Sequence, residues 1–225
     1  MKKLLLLLFV ACVSCAKPVA EQAIEGPFLI LSTPYYEDGS VNYDNLVKEA
    51  CFAAEWDTPG VIWPQSNDAI DLLTEQERID GMQALVNEWK NNPKKTILTL
   101  GVNGDDTEQM LMFAREAERM AQESGVDFIL AARPPYYGKT EEDIKEYYEA
   151  LATVAKRPVI IQTFVNDDCP APSAEVLIYL AQTYPDVYGW IKDREIAAIY
   201  LDKNIRIDER DLADFITKHR KDAKK

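Results

Sequence analysis

Lys192 is the residue of this sequence that is best placed to do chemistry. It ends a short apolar run, Val187 to Ile191, which follows five earlier units that read as a strand and then a helix. In a parallel α/β barrel, side chains at the carboxyl ends of strands point into the active-site mouth. A lysine on an apolar wall loses its proton more readily than a free lysine, and its neutral amine attacks carbonyls to form Schiff bases. The alternative is a surface lysine that follows a strand.

The rest of the chain predicts the elements that would position this lysine. Runs that are apolar throughout are typical of strands buried on both faces of a parallel sheet. Thr74 opens a capping box with Glu77, and Asp106 and Ser173 have the character of helix N-caps. The predicted strands are 27–32, 60–63, 96–102, 127–131 and 158–162, and the predicted helices are 43–54, 74–90, 106–123, 141–155 and 173–183.

This alternation, with a period of about 30 residues, predicts repeated βα units. A sixth unit is present if Tyr188 to Lys192 is a strand. A closed eightfold barrel needs about 250 residues, and the roughly 30 residues after Lys192 cannot supply two more units. We therefore expect an α/β fold, a TIM-type (β/α) barrel over residues 27–193 that is incomplete, with a short α+β tail over 194–225.

Composition and charge limit the classes of function. The chain is 47% hydrophobic and 28% charged, which is ordinary for a globular domain with one core. Its net charge of −13 argues against nucleic acid or an anionic membrane as a partner of the whole chain. The single histidine, His219, lies in the charged tail, which argues against a histidine metal site or a Ser-His-Asp triad. We interpret Asp105-Asp106 as helix capping and Asp167-Asp168 as a solvated loop, rather than as catalytic carboxylate pairs.

The amino terminus has the pattern of an export signal. Two lysines precede the apolar stretch Leu4 to Val10, which is too short to span a bilayer as a mature helix. The sequence Ala11-Cys12-Val13-Ser14-Cys15 follows. It resembles the lipobox of bacterial lipoproteins, in which a cysteine becomes the acylated first residue. Cys15 is the predicted lipidation site, with Cys12 and a plain secretory signal as the alternatives.

This pattern predicts where the protein is found. Residues 1–15 are the expected lipoprotein signal peptide, and residues 16–26 are a short polar tether. We expect an exported lipoprotein, either periplasmic or anchored in the outer membrane, which contacts the membrane only through its lipid.

Six short motifs carry a resemblance to a known family. They are Ser32-Thr33-Pro34-Tyr35, Leu73 to Arg78 in the form Leu-Thr-x-x-Glu-Arg, Gly101 to Gly104, Pro135-Tyr136-Tyr137, Pro158 to Ile161 and Pro185 to Lys192. In this order and at this spacing they resemble the dihydrodipicolinate synthase and N-acetylneuraminate lyase family of Schiff-base aldolases, over about residues 26–193. The resemblance implies a small 2-oxo acid or related carboxylate as substrate and no metal or organic cofactor, and it leaves a homo-oligomer open.

The resemblance also implies roles for individual residues. Lys192 matches the family's Schiff-base lysine. Tyr137 matches the second tyrosine of the Pro-Tyr-Tyr motif, which joins the proton relay, and a purely structural role in a loop is its alternative. The segment 64–68 takes the place of the family's Gly-Thr-Thr-Gly-Glu carboxylate loop and has no glycine. Within it, Ser66 and Asn67 are expected to hold the substrate carboxylate.

Two positions depart from the family pattern. The tyrosine that relays protons at the end of the fifth strand is replaced by Gln162, which we expect to bind substrate together with Thr163. A glutamine orients a ligand but does not serve as a general acid at neutral pH. The arginine that often follows is matched by Asp167. The sequence therefore predicts a Schiff-base lyase with a degenerate site or, as the alternative, a non-catalytic ligand-binding lipoprotein on the same fold.

The tail carries a second resemblance. The segments 187–196, 205–212 and 215–216 resemble the excisionase-type winged helix-turn-helix domain, and they overlap the sixth predicted strand. A DNA-binding module would lay Lys203 and Arg206 on phosphates. Such a module needs a cytoplasmic location, and from residue 186 the tail carries ten basic and nine acidic residues, which attract phosphate weakly. We therefore expect no nucleic-acid partner, with this module as a further alternative.

Overall fold

The computed structural model describes residue 24 and residues 26–135, 140–162 and 171–188. In this part of the chain, five strands form one sheet in the order β1-β2-β3-β4-β5, and every neighbouring pair is parallel. The elements are β1 (Phe28–Ile30), α1 (Tyr43–Glu55), β2 (Gly60–Trp63), α2 (Glu75–Asn91), β3 (Ile97–Gly101), α3 (Thr107–Ser124), β4 (Ile129–Ala132), α4 (Glu141–Val154), β5 (Val159–Ile161), α5 (Ala174–Thr183) and α6 (Pro185–Tyr188).

Alternate residues of the strands pack on opposite faces of the sheet. One set, which includes Val61, Leu98 and Leu130, belongs to the main core with the helices. The other set forms a second cluster around Ile97 and Ile129, on what we call the inner face of the sheet. Consecutive parallel strands joined by helices, with an apolar inner face, confirm the predicted α/β barrel architecture.

The predicted helix starts are confirmed because their signals are local. Thr74 and Glu77 form a reciprocal capping box at the start of α2. Asp106 caps α3 through the backbone N–H of Gln109, and Ser173 caps α5 through that of Val176. None of the described helices combines the length and the apolar character needed to cross a bilayer.

The prediction for the start of the sixth strand is wrong. Val187 and Tyr188 lie in the short helix α6, where Pro185 occupies the first position that proline favours. Tyr188 is buried, its ring meets those of Tyr148 and Tyr184 edge to face, and its hydroxyl donates to the carbonyl of Tyr148 at 2.7 Å. Burial raises the pKa of Tyr188, so that its hydroxyl stays a donor.

Several predicted functional residues lie outside the described part of the chain. They are Cys15, Tyr137, Thr163, Asp167 and Lys192, together with residues 16–23 and 25 of the tether and the tail from residue 194.

Candidate functional site

Asn103 joins the loops that follow β2, β3 and β4 at the carboxyl edge of the sheet. Its side-chain Nδ2 donates to Gln65 Oε1 at 3.3 Å, and its Oδ1 accepts from the backbone N–H of Arg133 at 2.8 Å. Its backbone carbonyl accepts from the Arg78 guanidinium. All four residues are buried. The three loops therefore share one buried polar network, which holds them in a single arrangement.

Gln65 and Ser66 present buried polar atoms at this edge. Gln65 is fully buried, yet its Nε2 has no hydrogen-bond partner among the described residues, and neither has Ser66 Oγ. A buried donor that lacks a partner costs about 1–3 kcal/mol. Such groups are retained where a water or a ligand completes them. The sequence motif assigned carboxylate binding to Ser66 and Asn67 but not to Gln65.

Gly101 explains how the loop after β2 comes so close to β3. A Cβ at position 101 would collide with the carbonyl oxygen of Pro64, and it would lie 3.4 Å from Gln65 Nε2. The absence of a side chain there brings the Gln65 amide directly over the end of β3. Asn67, two residues farther along the loop, is exposed to solvent.

The loop after β2 is also attached to the loop after β1. The backbone N–H of Thr33 donates to Asp68 Oδ1 at 3.0 Å, and the Thr33 hydroxyl donates to the other carboxylate oxygen. The same hydroxyl accepts from Trp63 Nε1 at 3.0 Å. Trp63 is fully buried with its ring against Gly81, so its side chain is part of the main core.

Gln162 extends the edge at the end of β5. Its backbone N–H donates to the Ala132 carbonyl at 2.9 Å. The last registered pair, Ala132 with Ile161, places Gln162 beside Arg133. Its Oε1 is buried and has no hydrogen-bond partner within the described ranges. Because an amide has no acidic proton at neutral pH, this side chain can orient a group but cannot protonate it.

Two buried arginines at this edge were missed from the sequence. Arg133 donates to the Pro134 carbonyl at 3.0 Å and pairs with the exposed Asp105 at 3.4 Å. Arg78 lies over the Phe113 ring, 3.7 Å from its centroid. Burial and then the neighbouring Arg133 lower the pKa of Arg78 to about 10, so the Arg78 guanidinium stays charged at neutral pH. The two guanidiniums therefore favour an anion close to them, although the exposed carboxylates of the surrounding loops carry the opposite charge.

Asp105 corrects the interpretation of the Asp105-Asp106 pair. Asp106 caps α3 as predicted, but Asp105 reaches Arg133 instead of a helix N–H. The sequence feature that could have indicated Arg133 as a site residue is its position directly after an apolar strand. Among the described residues, no cluster of three or more His, Cys, Asp or Glu side chains is arranged to hold a metal ion.

Comparison with known proteins identifies the family of the chain. Residues 23–193 match the model of the dihydrodipicolinate synthetase family. This chain belongs to that family. The family is one of Schiff-base aldolase-type lyases, so the resemblance read from the motifs is confirmed at the level of family and fold.

Sequence relatives are distant and longer than this chain. The 4-hydroxy-tetrahydrodipicolinate synthase of Brachyspira hyodysenteriae is 28% identical over 137 residues, which are 61% of this chain and 44% of the relative. That of Chlorobaculum parvum is 24% identical over 192 residues, 85% of this chain and 62% of the relative. The chain thus spans about half the length of the curated relatives that it matches.

The solved structures agree on the fold. The dihydrodipicolinate synthase of Aquifex aeolicus superposes with a TM-score of 0.64 at 20% identity, over 72% of this chain and 53% of that one. The 4-hydroxy-tetrahydrodipicolinate synthase of Methylacidiphilum fumariolicum SolV gives 0.64 at 16% identity, over 73% and 52%. The five described strands therefore correspond to part of a barrel of this family.

Proposed function

We propose that this protein is a Schiff-base lyase that acts on a small 2-oxo acid, with Lys192 as the nucleophile. The observation that carries the proposal is the buried pair of polar groups, Gln65 Nε2 and Ser66 Oγ, in the loop that replaces the family's carboxylate loop. An amide N–H and a hydroxyl can both donate to a carboxylate, and charged acceptors form the stronger hydrogen bonds. The positive charges of Arg78 and Arg133 add a field of the right sign.

The proposed chemistry follows from the amine. The neutral amine of Lys192 adds to the C2 carbonyl of the 2-oxo acid, and loss of water leaves an imine. The protonated imine draws electrons from an adjacent carbon–carbon bond, which can then break or form. Protons must move at each step, and Tyr137 is the proposed relay because Gln162 cannot supply one. Gln162 and Thr163 then orient the substrate, which would make the site slower than one with a tyrosine at position 162.

A second candidate is a non-catalytic receptor for the same class of ligand. Gln162 favours the receptor, because its buried Oε1 has no partner among the described residues and can accept a hydrogen bond from a ligand. The amide cannot carry out acid–base chemistry at neutral pH. Asp167 in place of an arginine points the same way. The DNA-binding alternative is the weaker one, because the family match runs through Lys192 to residue 193.

We also propose that the mature protein is an exported lipoprotein that begins at an acylated Cys15. The basic, apolar and small-residue pattern before this cysteine supports the proposal. The tether of residues 16–26 would then hold the barrel close to the membrane.

Reductive trapping separates the two candidates. Incubation with pyruvate and borohydride should add the mass of pyruvic acid less one oxygen to the wild type, and nothing to Lys192→Ala. Lys156→Ala removes an exposed lysine and serves as the matched control. Pyruvate that binds without forming an adduct would support the receptor. A wild type that shows neither an adduct nor binding across several 2-oxo acids would refute both.

A further inference from the structure

Two exposed aromatic side chains lie together at the end of α1. Phe52 is 60% exposed and Trp56 is 73% exposed, and their ring centroids are 6.2 Å apart. Because α1 connects two parallel strands, its last turn lies at the amino edge of the sheet, opposite the candidate site. We call this pair the aromatic surface. A single exposed apolar residue is ordinary, but an adjacent exposed pair that includes tryptophan indicates a surface that contacts a membrane or another molecule.

The amino-terminal segment leaves the barrel at this same edge. Ile24 packs against Ile97 and Ile129, at the beginning of the inner face. A Cβ at Gly26 would lie 2.9 Å from the Pro59 side chain, and Pro59 is only three residues after Trp56. From Cys15 to Ile24 there are nine residues, which span at most about 30 Å when fully extended. An anchor at Cys15 therefore keeps this edge close to a bilayer.

The two edges of the sheet differ in charge. The loops of the amino edge, 56–59, 92–96, 125–128 and 155–158, contain four basic and two acidic residues, a net of 4 − 2 = +2. Two of the basic residues, Lys94 and Arg157, pair with helix glutamates, which brings the edge to 2 − 2 = 0. The described loops of the carboxyl edge, 31–42, 64–74, 102–106 and 133–135, contain one basic and six acidic residues, a net of −5. The whole chain carries a charge of −13, and of its two edges the amino edge is therefore the one that an anionic bilayer surface repels less.

We propose that the aromatic surface of Phe52 and Trp56 rests in the interfacial layer of the phospholipid bilayer to which the chain is anchored. This inference rests on the proposed lipid anchor at Cys15. Tryptophan prefers the membrane–water interface because its ring is apolar and its N–H is polar. A tether makes the contact intramolecular, so that even a weak affinity suffices. The contact turns the carboxyl edge, with Gln65 and Gln162, toward the aqueous side, where a soluble substrate arrives.

Fluorescence quenching by brominated lipid tests the contact. The lipidated full chain is reconstituted on phosphatidylcholine vesicles with or without bromine on the acyl chains. We expect lower tryptophan emission on the brominated vesicles. Trp63 and Trp89 are buried in the core, and Trp190, which lies outside the described residues, is replaced by phenylalanine in every form tested, so Trp56 should account for the difference. In Trp56→Phe the emission on the two kinds of vesicle should therefore coincide. Leu72→Ser, which changes a residue that is 77% exposed at the opposite edge, should retain the wild-type quenching.

A second form of the protein separates this contact from the anchor. A hexahistidine segment in place of residues 1–15, bound to nickel-chelating lipid, supplies a tether that needs no acylation. If Cys15→Ser fails to release the full chain from membranes, the anchor proposal falls, while the chelated form still reports on the surface. Equal emission on both kinds of vesicle, or quenching that persists in Trp56→Phe, would overturn the membrane contact. A dimer that is lost in Phe52→Ser/Trp56→Ser would overturn it too, in favour of a second copy.

Discussion

Replacing Gln65 with methionine should change ligand affinity far more than stability. Methionine has a similar volume and no amide, so the fully buried side chain is exchanged without a large cavity. The change removes the 3.3 Å hydrogen bond from Asn103 and leaves the buried Nδ2 of Asn103 unpaired, which costs about 1–3 kcal/mol. It also removes Gln65 Nε2, whose burial without a partner costs about 1–3 kcal/mol. These effects oppose each other, so the free energy of unfolding should change by less than about 1 kcal/mol.

The affinity for a 2-oxo acid should fall because Gln65 Nε2 is a proposed donor to its carboxylate. A hydrogen bond to a charged group contributes about 1.5–3 kcal/mol. At about 1.4 kcal/mol for each tenfold change, the Kd for pyruvate should rise roughly 10- to 150-fold. Asn67→Ala is the matched control, because Asn67 lies in the same loop but is exposed.

The assay combines urea unfolding with titration calorimetry of pyruvate in a Lys192→Ala background, which prevents imine formation. Unchanged affinity in Gln65→Met, with a large loss in Asn67→Ala, would show that the exposed amide holds the carboxylate and that our account of Gln65 is wrong. A loss of several kcal/mol of stability would show that the Gln65 amide is needed by the fold itself.

Two further predictions concern the core and the chemistry. Arg157→Ala should lower the free energy of unfolding, measured by urea titration, by about 3 kcal/mol, because it leaves Glu118 without its partner in a pair whose side chains are only 13% and 11% exposed. Arg119→Ala breaks exposed pairs on α3 and should change the free energy of unfolding by less than about 1 kcal/mol in the same titration. Equal losses in the two variants would contradict the argument from burial. Gln162→Tyr should raise lyase turnover by roughly 10²-fold or more if a missing acid limits the rate; a wild type that already turns over at about 10 s⁻¹ would identify another proton donor, with Tyr137 as the first to test.

The elements of this fold could be predicted from the sequence because their signals act over a few residues. The strand at 60–63 and the caps at Thr74, Asp106 and Ser173 were found at their observed positions. Periodicity and capping depend on neighbours within about four positions, so no tertiary information was needed. The order of motifs also sufficed to recognise the family.

The polar groups of the site were decided only by the tertiary structure. Gln65 is buried because Gly101 lets its loop settle on β3, and it is held by Asn103, 38 positions away. Arg133 likewise reaches Asp105 across a gap of 28 positions. Which donor is left without a partner depends on every atom that packs around it, and those atoms come from distant parts of the chain. Local sequence carries no record of that arrangement, which is why the motif pointed to Asn67 while the fold buried Gln65.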